Sequence, residues 1–525
     1  MVMRTCHHPI LLLAFLAAFM SSACTVIAQD RQEHPRIESH AYAQDTSTPL
    51  GAALSNDVKR HENMSGFRLL DNARESLAIR LAMVEAAEKS IDLQYYIIHD
   101  DVASNLMLEA LLRAAERGVR VRFLIDGITF SEVDGNLAVL DNQPNIQIRV
   151  FNPVFKPGIP LMAKLRVGFL DLEGFTRRMH NKSLIVDNQL SVTGGRNLGD
   201  EYFDENPDTN FKDLDTLAAG PITARISNSF DKYWNDGNAW LIADLHPVTG
   251  DPQKMKDLRA RMKKEWADKM DATGGTIRME RLADRLKDGR VPLTWARAEL
   301  SADEPDKIDQ APGQAASKPL SRLQRLVAQG STEFLAITPY FVPGDDGVAW
   351  FKSLEARNMQ VKVLTNSLAA TDVVAVHTGY AKYREALVRD GIDLFEFKPI
   401  AGQRPKQRLA GSSAPPTASL HSKAYVIDRK DAIVGSYNID PRSEELNTEL
   451  IIIIHSPEIA AQLVKLFEHS TAPAQSYHVL YEDGDLVWKT EEKGRVKTYE
   501  TDPNAGLWRR VQAGFMSLLP IEDQL

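Results

Sequence analysis

Apolar and polar positions along the chain form segments that predict strands and helices in a regular order. Residues 91–98 and 119–125 are apolar, β-branched and aromatic runs typical of strands, and residues 106–117 between them carry apolar side chains at helical spacing. The same order returns further along the chain, over residues 334–341, 350–355 and 361–365. Strand–helix–strand units of this kind predict parallel α/β structure, here in two copies.

Each copy also contains a motif in which His and Lys come directly before a short apolar run and an Asp follows it. Residues 180–187 have the sequence HNKSLIVD, and residues 421–428 have the sequence HSKAYVID. A turn of small residues that ends in Asn follows each motif at the same offset, at residues 194–197 and 435–438. The repetition of motif and turn indicates a duplicated half-site, in which one His and one Lys from each copy meet at a shared active centre.

The duplication predicts an α/β fold of two similar lobes, each a mixed sheet flanked by helices, related by a pseudo-twofold axis. We expect each motif strand near the middle of its sheet. Because 525 residues exceed one typical domain, residues 61–245 are assigned to the first lobe and residues 319–525 to the second. The polar residues 29–60 are predicted to be a linker. Residues 246–318 are predicted to be a connecting segment, with a solvated helix in the charged residues 251–290 and a loop over residues 301–318.

The spacing within each motif predicts which side chains share a face. On a strand, positions i and i+2 point the same way, so His180 pairs with Lys182. By the same rule His421 pairs with Lys423. Each half therefore presents one imidazole and one ammonium group to the same side.

The other motif residues differ in their expected roles. Asp187 and Asp428 lie at an odd offset from the lysines, so an unbroken strand turns them away from the His and Lys pairs. We expect these two carboxylates to orient the backbone. Asn197 and Asn438, which end the two turns, are better placed to return to the site from a neighbouring strand end.

Two His, two Lys and two Asn suit an anionic substrate, since ammonium and amide groups donate to phosphoryl oxygens. One neutral His can attack phosphorus and form a phosphohistidine, while the second, protonated, delivers a proton to the leaving alcohol. The lysines supply the charge that metal ions supply in other phosphoryl-transfer enzymes, and His-x-Lys is not a metal-ligand spacing. We therefore expect neither a metal nor a cofactor, and activity that withstands a chelator.

The net charge and the N-terminal residues bear on the class of substrate and on the cellular location of the protein. A formal net charge of −9 argues against non-specific nucleic-acid binding, which favours a basic face. Arg4 followed by the apolar residues 10–20 is typical of a secretory signal over residues 1–28, and the apolar run is too short to span a bilayer. Residues 21–24 resemble a bacterial lipobox with Cys24 as the lipidated residue; ordinary signal cleavage is the alternative. We expect export to the bacterial cell envelope and association with a membrane.

The doubled motif with its glycine turn resembles the signature of the phospholipase D superfamily. Three segments resemble bacterial cardiolipin synthases, most closely those of the C type: HNKSLIVDNQLSVTGGRNLGDEYF at residues 180–203, TNSLAATDVVAVHTGYAKYREAL at 365–387 and NIDPRSEELNTEL at 438–450. The resemblance implies that His180 is the nucleophile and His421 the general acid and base. It also implies a carboxylate that supports a His. Glu449 matches that position, and Asp213 is the candidate in the first half.

The expected activity is transfer of a phosphatidyl group to the hydroxyl of phosphatidylglycerol, which forms cardiolipin. The expected partners are phospholipids, phosphatidylglycerol and as a further donor phosphatidylethanolamine, met at a membrane surface, and no nucleic acid is expected. The chemistry does not separate this transferase from a phospholipase D hydrolase that releases phosphatidic acid, because water and alcohol compete for the same phosphohistidine. A phosphodiesterase or nuclease of the same superfamily is the third alternative.

Three stretches are candidates for lipid contact because they combine apolar residues with basic or flexible ones. Residues 155–175 and 400–418 precede the two motifs, and residues 508–519 lie near the C-terminus. Ordinary packing is the alternative for each stretch, and it is the preferred interpretation of the C-terminal one.

Overall fold

The computed structural model describes residues 37–128, 130–154, 176–246, 252–311, 313–314, 316–399, 417–519 and 524. Residues 37–39 have no regular secondary structure, and residues 40–525 form one compact unit. The predicted signal with Cys24 lies outside the described residues, as do residues 155–175 and 400–416 of the candidate lipid stretches. Within the described ranges, no helix has the length and apolar character needed to cross a membrane.

The strands and helices alternate along both halves of the chain. The strands of the first half are β1 (Ser65–Leu70), β2 (Ser90–Tyr95), β3 (Arg120–Asp126), β4 (Ile146–Phe151), β5 (Ser183–Val186), β6 (Leu190–Gly194), β7 (Thr209–Lys212), β8 (Asp215–Ala219) and β9 (Ala239–Leu241). Those that follow are β10 (Thr294–Ala302), β11 (Glu333–Ile337), β12 (Gln360–Asn366), β13 (Asp393–Phe397), β14 (Thr417–Leu420), β15 (Ala424–Ile427), β16 (Asp431–Gly435), β17 (Leu450–His455), β18 (Ser476–Glu482), β19 (Asp485–Glu492) and β20 (Arg495–Tyr499).

Fourteen α-helices lie in the described part of the chain. They are α1 (Pro49–Arg60), α2 (Ala73–Ala86), α3 (Val102–Glu116), α4 (Phe130–Asp141), α5 (Pro221–Trp234), α6 (Ile242–Leu245), α7 (Pro252–Trp266), α8 (Gly275–Lys287), α9 (Lys318–Gln329), α10 (Gly344–Glu355), α11 (Val374–Ala381), α12 (Arg384–Arg389), α13 (Pro457–Thr471) and α14 (Leu507–Met516). Short 3₁₀ turns lie at Asp200–Tyr202 and Pro305–Asp309, and π turns at Ala267–Asp271 and Arg442–Leu446.

Among the described residues, eighteen strands from both halves join into one sheet, while β7 and β14 pair in a separate two-stranded sheet. In the first half the order is β9-β4-β3-β2-β5-β6-β8-β1, with β2, β3 and β4 parallel and the other pairs antiparallel. In the second half the order is β10-β17-β16-β15-β11-β12-β13-β18-β19-β20, with β11, β12 and β13 parallel. The predicted parallel units are confirmed, and so is the position of the motif strands β5 and β15 inside the sheet.

The two halves meet at equivalent strands. β1 and β10 run antiparallel side by side, with Ser65 opposite Ala296 and Phe67 opposite Thr294, as a twofold axis between equivalent strands requires. Helices α5 and α13 pack into one apolar core with the motif strands of both lobes, through Ile222, Ile226, Phe230, Ile459, Leu463, Phe467, Ile185 and Val426. The predicted two-lobed α/β fold is confirmed.

Helix α1 occupies residues for which the sequence predicted a linker. The Thr48 hydroxyl accepts a hydrogen bond from the backbone N–H of Gly51 at 3.1 Å, and Pro49 stands at the first helical position. Leu50 and Leu54 are buried in the core of the first lobe. Local capping and two buried leucines therefore outweigh the polar composition of this stretch.

The predicted connecting segment is also more structured than expected. It forms α7 and α8, which pack against α3 and α2 of the first lobe, and it supplies β10 to the sheet. Leu258 and Met262 of α7 and Met279 and Leu286 of α8 are buried. The prediction of one solvated helix is wrong, because each helix buries one apolar stripe.

The C-terminal stretch forms α14, and none of its side chains is buried. The preferred interpretation of ordinary packing holds for one side of α14, which contacts α11, while the other side faces solvent.

Candidate active site

Each motif strand turns back at its Asp. β5 pairs with β6 and β15 with β16, and the two turn residues of each hairpin have positive φ angles: 51° and 52° at Asp187 and Asn188, 51° and 55° at Asp428 and Arg429. Two such residues in succession form the turn that matches the twist of antiparallel strands, and Asp and Asn adopt this backbone more readily than most residues. The last residue of each motif therefore fixes the register of its hairpin.

The carboxylates of these two Asp residues bind backbone. Asp187 accepts hydrogen bonds of 2.8–3.0 Å from the N–H groups of residues 88–90, at the start of β2. Asp428 accepts hydrogen bonds of 2.8–3.2 Å from the N–H groups of residues 331–333, at the start of β11. Each Asp thus ties its hairpin turn to the neighbouring strand.

His180 lies against a carboxylate of the other half of the chain. The backbone N–H of His180 donates to the carbonyl of Thr448 at 3.0 Å, within a parallel bridge between Met179 and Thr448. This bridge brings His180 Nδ1 to 2.9 Å from Glu449 Oε1 and 3.0 Å from Oε2. Both side chains are buried, with His180 5% and Glu449 0% exposed.

Glu449 receives further hydrogen bonds that hold its orientation. The hydroxyl of Ser436 donates to Oε2, and the hydroxyl of Ser443 donates to Oε1 at 2.9 Å. Burial raises the pKa of Glu449 to about 8, although the ammonium group of Lys182 and the two hydroxyls act in the opposite direction. The two hydroxyl donors therefore hold the carboxyl group of Glu449 against the imidazole of His180.

His421 has the equivalent arrangement with the first half. Strands β14 and β7 pair in parallel, and the backbone N–H of His421 donates to the carbonyl of Lys212 at 2.8 Å. His421 Nδ1 then lies 2.6 Å from Asp213 Oδ2, with Asp213 buried. The two halves have therefore exchanged carboxylates, since each histidine is supported by the acid of the other lobe.

The glycine turn of each motif accommodates these carboxylates. A Cβ atom on Gly195 would lie 2.1 Å from Asp213 Oδ1, so the close approach of Asp213 requires glycine there. In the second half Ser436 holds the corresponding place, and its hydroxyl donates to Glu449 instead. The difference between GG and GS in the two copies thus follows from the acid that each turn receives.

The two lysines take the same position in both halves. Lys182 Nζ donates to the carbonyl of His180 at 2.7 Å, and Lys423 Nζ donates to the carbonyl of His421 at 2.6 Å. Both are buried, with 1% and 0% exposure. Burial lowers the pKa of Lys182 well below its ordinary value and that of Lys423 to about 8. Two desolvated cations in one cluster favour binding of an anion.

Aromatic rings line the site, a role that the sequence pattern did not indicate. In the first lobe Tyr96 packs edge-on against His180, with ring centroids 4.9 Å apart. In the second lobe the ring centroids of Tyr340 and His421 lie 6.3 Å apart. Tyr202 and Phe211 also contact the ring of His421, at 5.4 and 4.9 Å. The available signal was their position just after β2 and β11 or in the segment around β7, which only the fold shows to be near the histidines.

The electrostatic surroundings of the two histidines differ. Burial lowers the pKa of His180 well below its ordinary value, and the ammonium groups of Lys182 and Lys423 lower it further. Burial and Lys423 also lower the pKa of His421, but Asp213 acts in the opposite direction. His180 is therefore the imidazole held more firmly in the neutral form.

The two turn asparagines are placed differently. Asn197 accepts from the N–H of Ile97 at 3.2 Å and donates to the hydroxyl of Tyr202 at 2.9 Å, so it acts on the His421 side through that tyrosine. The buried Oδ1 of Asn438 has no hydrogen-bond partner among the residues that the structure describes. The backbone N–H of Asn438 donates to the hydroxyl oxygen of Ser443 at 3.2 Å.

Comparison with known proteins places this geometry in a family. The family model described as "Cardiolipin synthase, PLD-like domain" matches the chain twice, over residues 81–234 and 323–471. The chain belongs to this family, and it is an enzyme of the phospholipase D superfamily in the class of phosphatidyltransferases.

Individual proteins are similar to this chain over most of its length. Cardiolipin synthase C of Escherichia coli is 34% identical over 90% of this chain and 99% of its own. An uncharacterized protein of Helicobacter pylori is 29% identical over 97% of this chain and 98% of its own. The crystal structure of a phosphatidylserine synthase of Haemophilus influenzae shares the fold at 14% identity, with a TM-score of 0.55 over 90% of this chain and 99% of that one.

Proposed function

We propose that the chain transfers a phosphatidyl group through a phosphohistidine on His180 and forms cardiolipin from phosphatidylglycerol and a second phospholipid. The observation that carries the proposal is the exchange of carboxylates, by which His180 with Glu449 and His421 with Asp213 are built into one buried cluster with two lysines. We place the reaction at a membrane of the bacterial envelope.

The lysines hold the phosphate. Lys182 and Lys423 are buried cations whose pKa values burial lowers, so a phosphodiester anion between them restores the charge balance that water otherwise provides. The amide of Asn438, with its buried Oδ1 unpaired among the described residues, is available to orient a donor group of the substrate.

His180 is the nucleophile of the first step. Glu449 engages Nδ1 at 2.9 Å, which leaves Nε2 to attack phosphorus. The N–P bond forms while the P–O bond to the leaving alcohol breaks, and His421 gives its proton to the leaving oxygen. In the second step His421 takes the proton from the hydroxyl of phosphatidylglycerol, whose oxygen attacks phosphorus and releases His180.

The contrast between the histidines supports this division of roles. His180 is kept neutral by burial and by two neighbouring cations, as a nucleophile must be. His421 is closer to its carboxylate, at 2.6 Å, which favours the protonated form that a general acid needs.

The walls of the site favour an alcohol over water. Both histidines are nearly excluded from solvent, at 5% and 4% exposure, and aromatic rings stand on either side. A covalent intermediate in such a site is protected from hydrolysis until a hydroxyl-bearing lipid arrives.

The test is mass spectrometry of the lipids formed from isotope-labelled phosphatidylglycerol and phosphatidylethanolamine in mixed vesicles. The wild type should form cardiolipin, and His180→Ala should form none. The control variant is His478→Ala, which alters a histidine stacked on Phe395 away from the site, and it should form cardiolipin like the wild type. The label shows which lipid donates. Phosphatidic acid without cardiolipin would make the chain a hydrolase, and unchanged lipids would overturn the proposal.

A further inference from the structure

Helix α14 turns its apolar face to solvent. Leu507, Trp508, Val511, Phe515 and Leu518 are 80%, 77%, 53%, 62% and 80% exposed. Their spacing places them along one side of the helix. Among the described residues, 11 large apolar side chains are exposed, and α14 with the two leucines just after it carries six of them.

The other face of α14 attaches the helix to the protein by polar contacts. The guanidinium of Arg509 donates to the carbonyls of Leu368 and Thr371, at 2.8 Å each. Arg510 donates to the carbonyls of Ala505, at 3.0 Å, and Asp502. A surface helix in water normally buries its apolar stripe and exposes its charges, and α14 has the opposite orientation.

The segment that leads into α14 is fixed in place. The carboxylate of Asp502 accepts a hydrogen bond of 2.8 Å from the buried Arg384 and lies 3.4 Å from His377 Nε2. His377 and Arg384 are buried in α11 and α12. The exposure of the apolar face is therefore a property of an anchored helix.

The side of α14 that faces the protein is connected to the active site by a chain of contacts. Thr371, which receives Arg509, precedes Asp372, and the carboxylate of Asp372 accepts the hydroxyl of Tyr340 at 2.6 Å. The ring of Tyr340 in turn stands edge-on to His421. Arg509 thus attaches the helix with the exposed apolar face to the segment whose Asp372 holds Tyr340 beside His421.

We propose that the α14 face, defined as Leu507, Trp508, Val511, Phe515 and Leu518, docks the enzyme on a lipid bilayer on the Tyr340 side of the active site. The inference rests on the proposed function, because the phospholipids transferred there lie in a bilayer. Composition agrees with this occupant, because the face consists of Leu, Trp, Val and Phe side chains and carries no acid. Side chains of these types insert at the boundary between the headgroups and the acyl chains of a bilayer.

A fluorescent label on the face tests docking without turnover. The full chain contains two cysteines, Cys6 and Cys24, so a variant with both changed to Ser, with His180→Ala and with Phe515→Cys carries one label. With phosphatidylglycerol vesicles, its emission should move to shorter wavelength and be quenched by lipids brominated about 5–10 Å below the headgroups. The matched control is Ile277→Cys on α8, also exposed, at 56%, whose emission should not change.

Two outcomes of the label experiment overturn the proposal. One is emission at position 515 that stays unchanged with vesicles. The other is an apolar signal that is present without vesicles and grows with protein concentration, which would mean that a second copy of the chain covers the face.

Measurements of activity on vesicles and on dissolved lipid distinguish a loss of membrane docking from a loss of catalysis. The double variant Trp508→Ser with Phe515→Ser should lose at least about tenfold of its activity on vesicles, since burial of each ring stabilises the docked state. On short-chain phosphatidylglycerol dissolved as monomers it should match the control Ile277→Ser. An equal loss on both substrates overturns docking. Insertion of the label without any lipid turnover in the wild type supports docking and refutes the proposed function.

Discussion

His180 Nδ1 lies 2.9 Å from Glu449 Oε1, although the two residues stand in different halves of the chain. The reverse contact, between His421 and Asp213, is made by the equivalent parallel pairing in the other direction. Neither half therefore holds a complete histidine–carboxylate pair by itself, and the active site exists only where both lobes are assembled.

Removal of either supporting charge should stop turnover while the fold remains. Glu449→Gln and Asp213→Asn each replace the acceptor of an imidazole N–H, so the tautomer with a free Nε2 is no longer favoured, and kcat should fall by about 10²–10⁴-fold. The measurement is cardiolipin formation, with thermal melting as the check on folding. Glu304→Gln, whose carboxylate pairs with Lys232 and Lys318 at the surface, is the control and should retain wild-type kcat. Near-normal turnover in either variant would contradict the account.

Anion binding should weaken as pH rises through about 8. Burial lowers the pKa of Lys423 to about 8, so above this pH the site loses a positive charge. Sulfate keeps its charge over this range and competes with the lipid for the site. Its inhibition constant should therefore rise by up to about tenfold per pH unit for each lysine that loses its proton. In Lys423→Met the rise should be smaller. An inhibition constant independent of pH between 7 and 9 would show that these groups do not face the anion.

The motif aspartates should matter for stability more than for chemistry. Asp428→Asn weakens the hydrogen bonds to residues 331–333 and should lower the free energy of unfolding by about 1–3 kcal/mol, with kcat of the folded protein retained. Denaturant unfolding measures the first quantity. Asp187→Asn should behave in the same way. A well-folded but inactive variant would place these carboxylates in the chemistry.

The pH dependence of that stability has a definite sign. Burial would raise the pKa of Asp428, but the N–H groups of Thr332 and Glu333 and the hydroxyl of Thr332 lower it from 3.8 to about 2. A folded-state pKa below the unfolded one stabilises the native state above about pH 4, and the contribution disappears as the pH falls towards 2. The difference in stability between the wild type and Asp428→Asn should therefore shrink over this interval.

Much of the fold follows from local sequence. The strand predicted at residues 361–365 is β12, and the helix predicted at 106–117 is α3, because both depend on periodicity within one segment. The motif strands were found for the same reason. The helix at Pro49–Arg60 was missed because two buried leucines hold a stretch of otherwise polar composition.

The exchange of carboxylates between the two lobes could not be predicted from the local sequence. Glu449 and Asp213 were picked out as supporting acids, but which histidine each one faces depends on the parallel bridges at Thr448 and β7, between residues far apart in sequence. The orientation of α14 has the same origin. Its pattern shows two faces, and the contacts of Arg509 decide which of them points outward.

The most direct test of the central claim is to locate the covalent intermediate. The wild type, His180→Ala and His421→Ala are mixed with a phosphatidyl ester of p-nitrophenol, quenched in alkali within milliseconds to seconds, digested and analysed by peptide mass spectrometry. The activated leaving group needs no proton, so a phosphatidyl adduct should appear on the peptide that contains His180 and accumulate in His421→Ala, which lacks the base for the second step. His180→Ala should give no adduct. An adduct on His421, or none in any of the three proteins, would contradict the account.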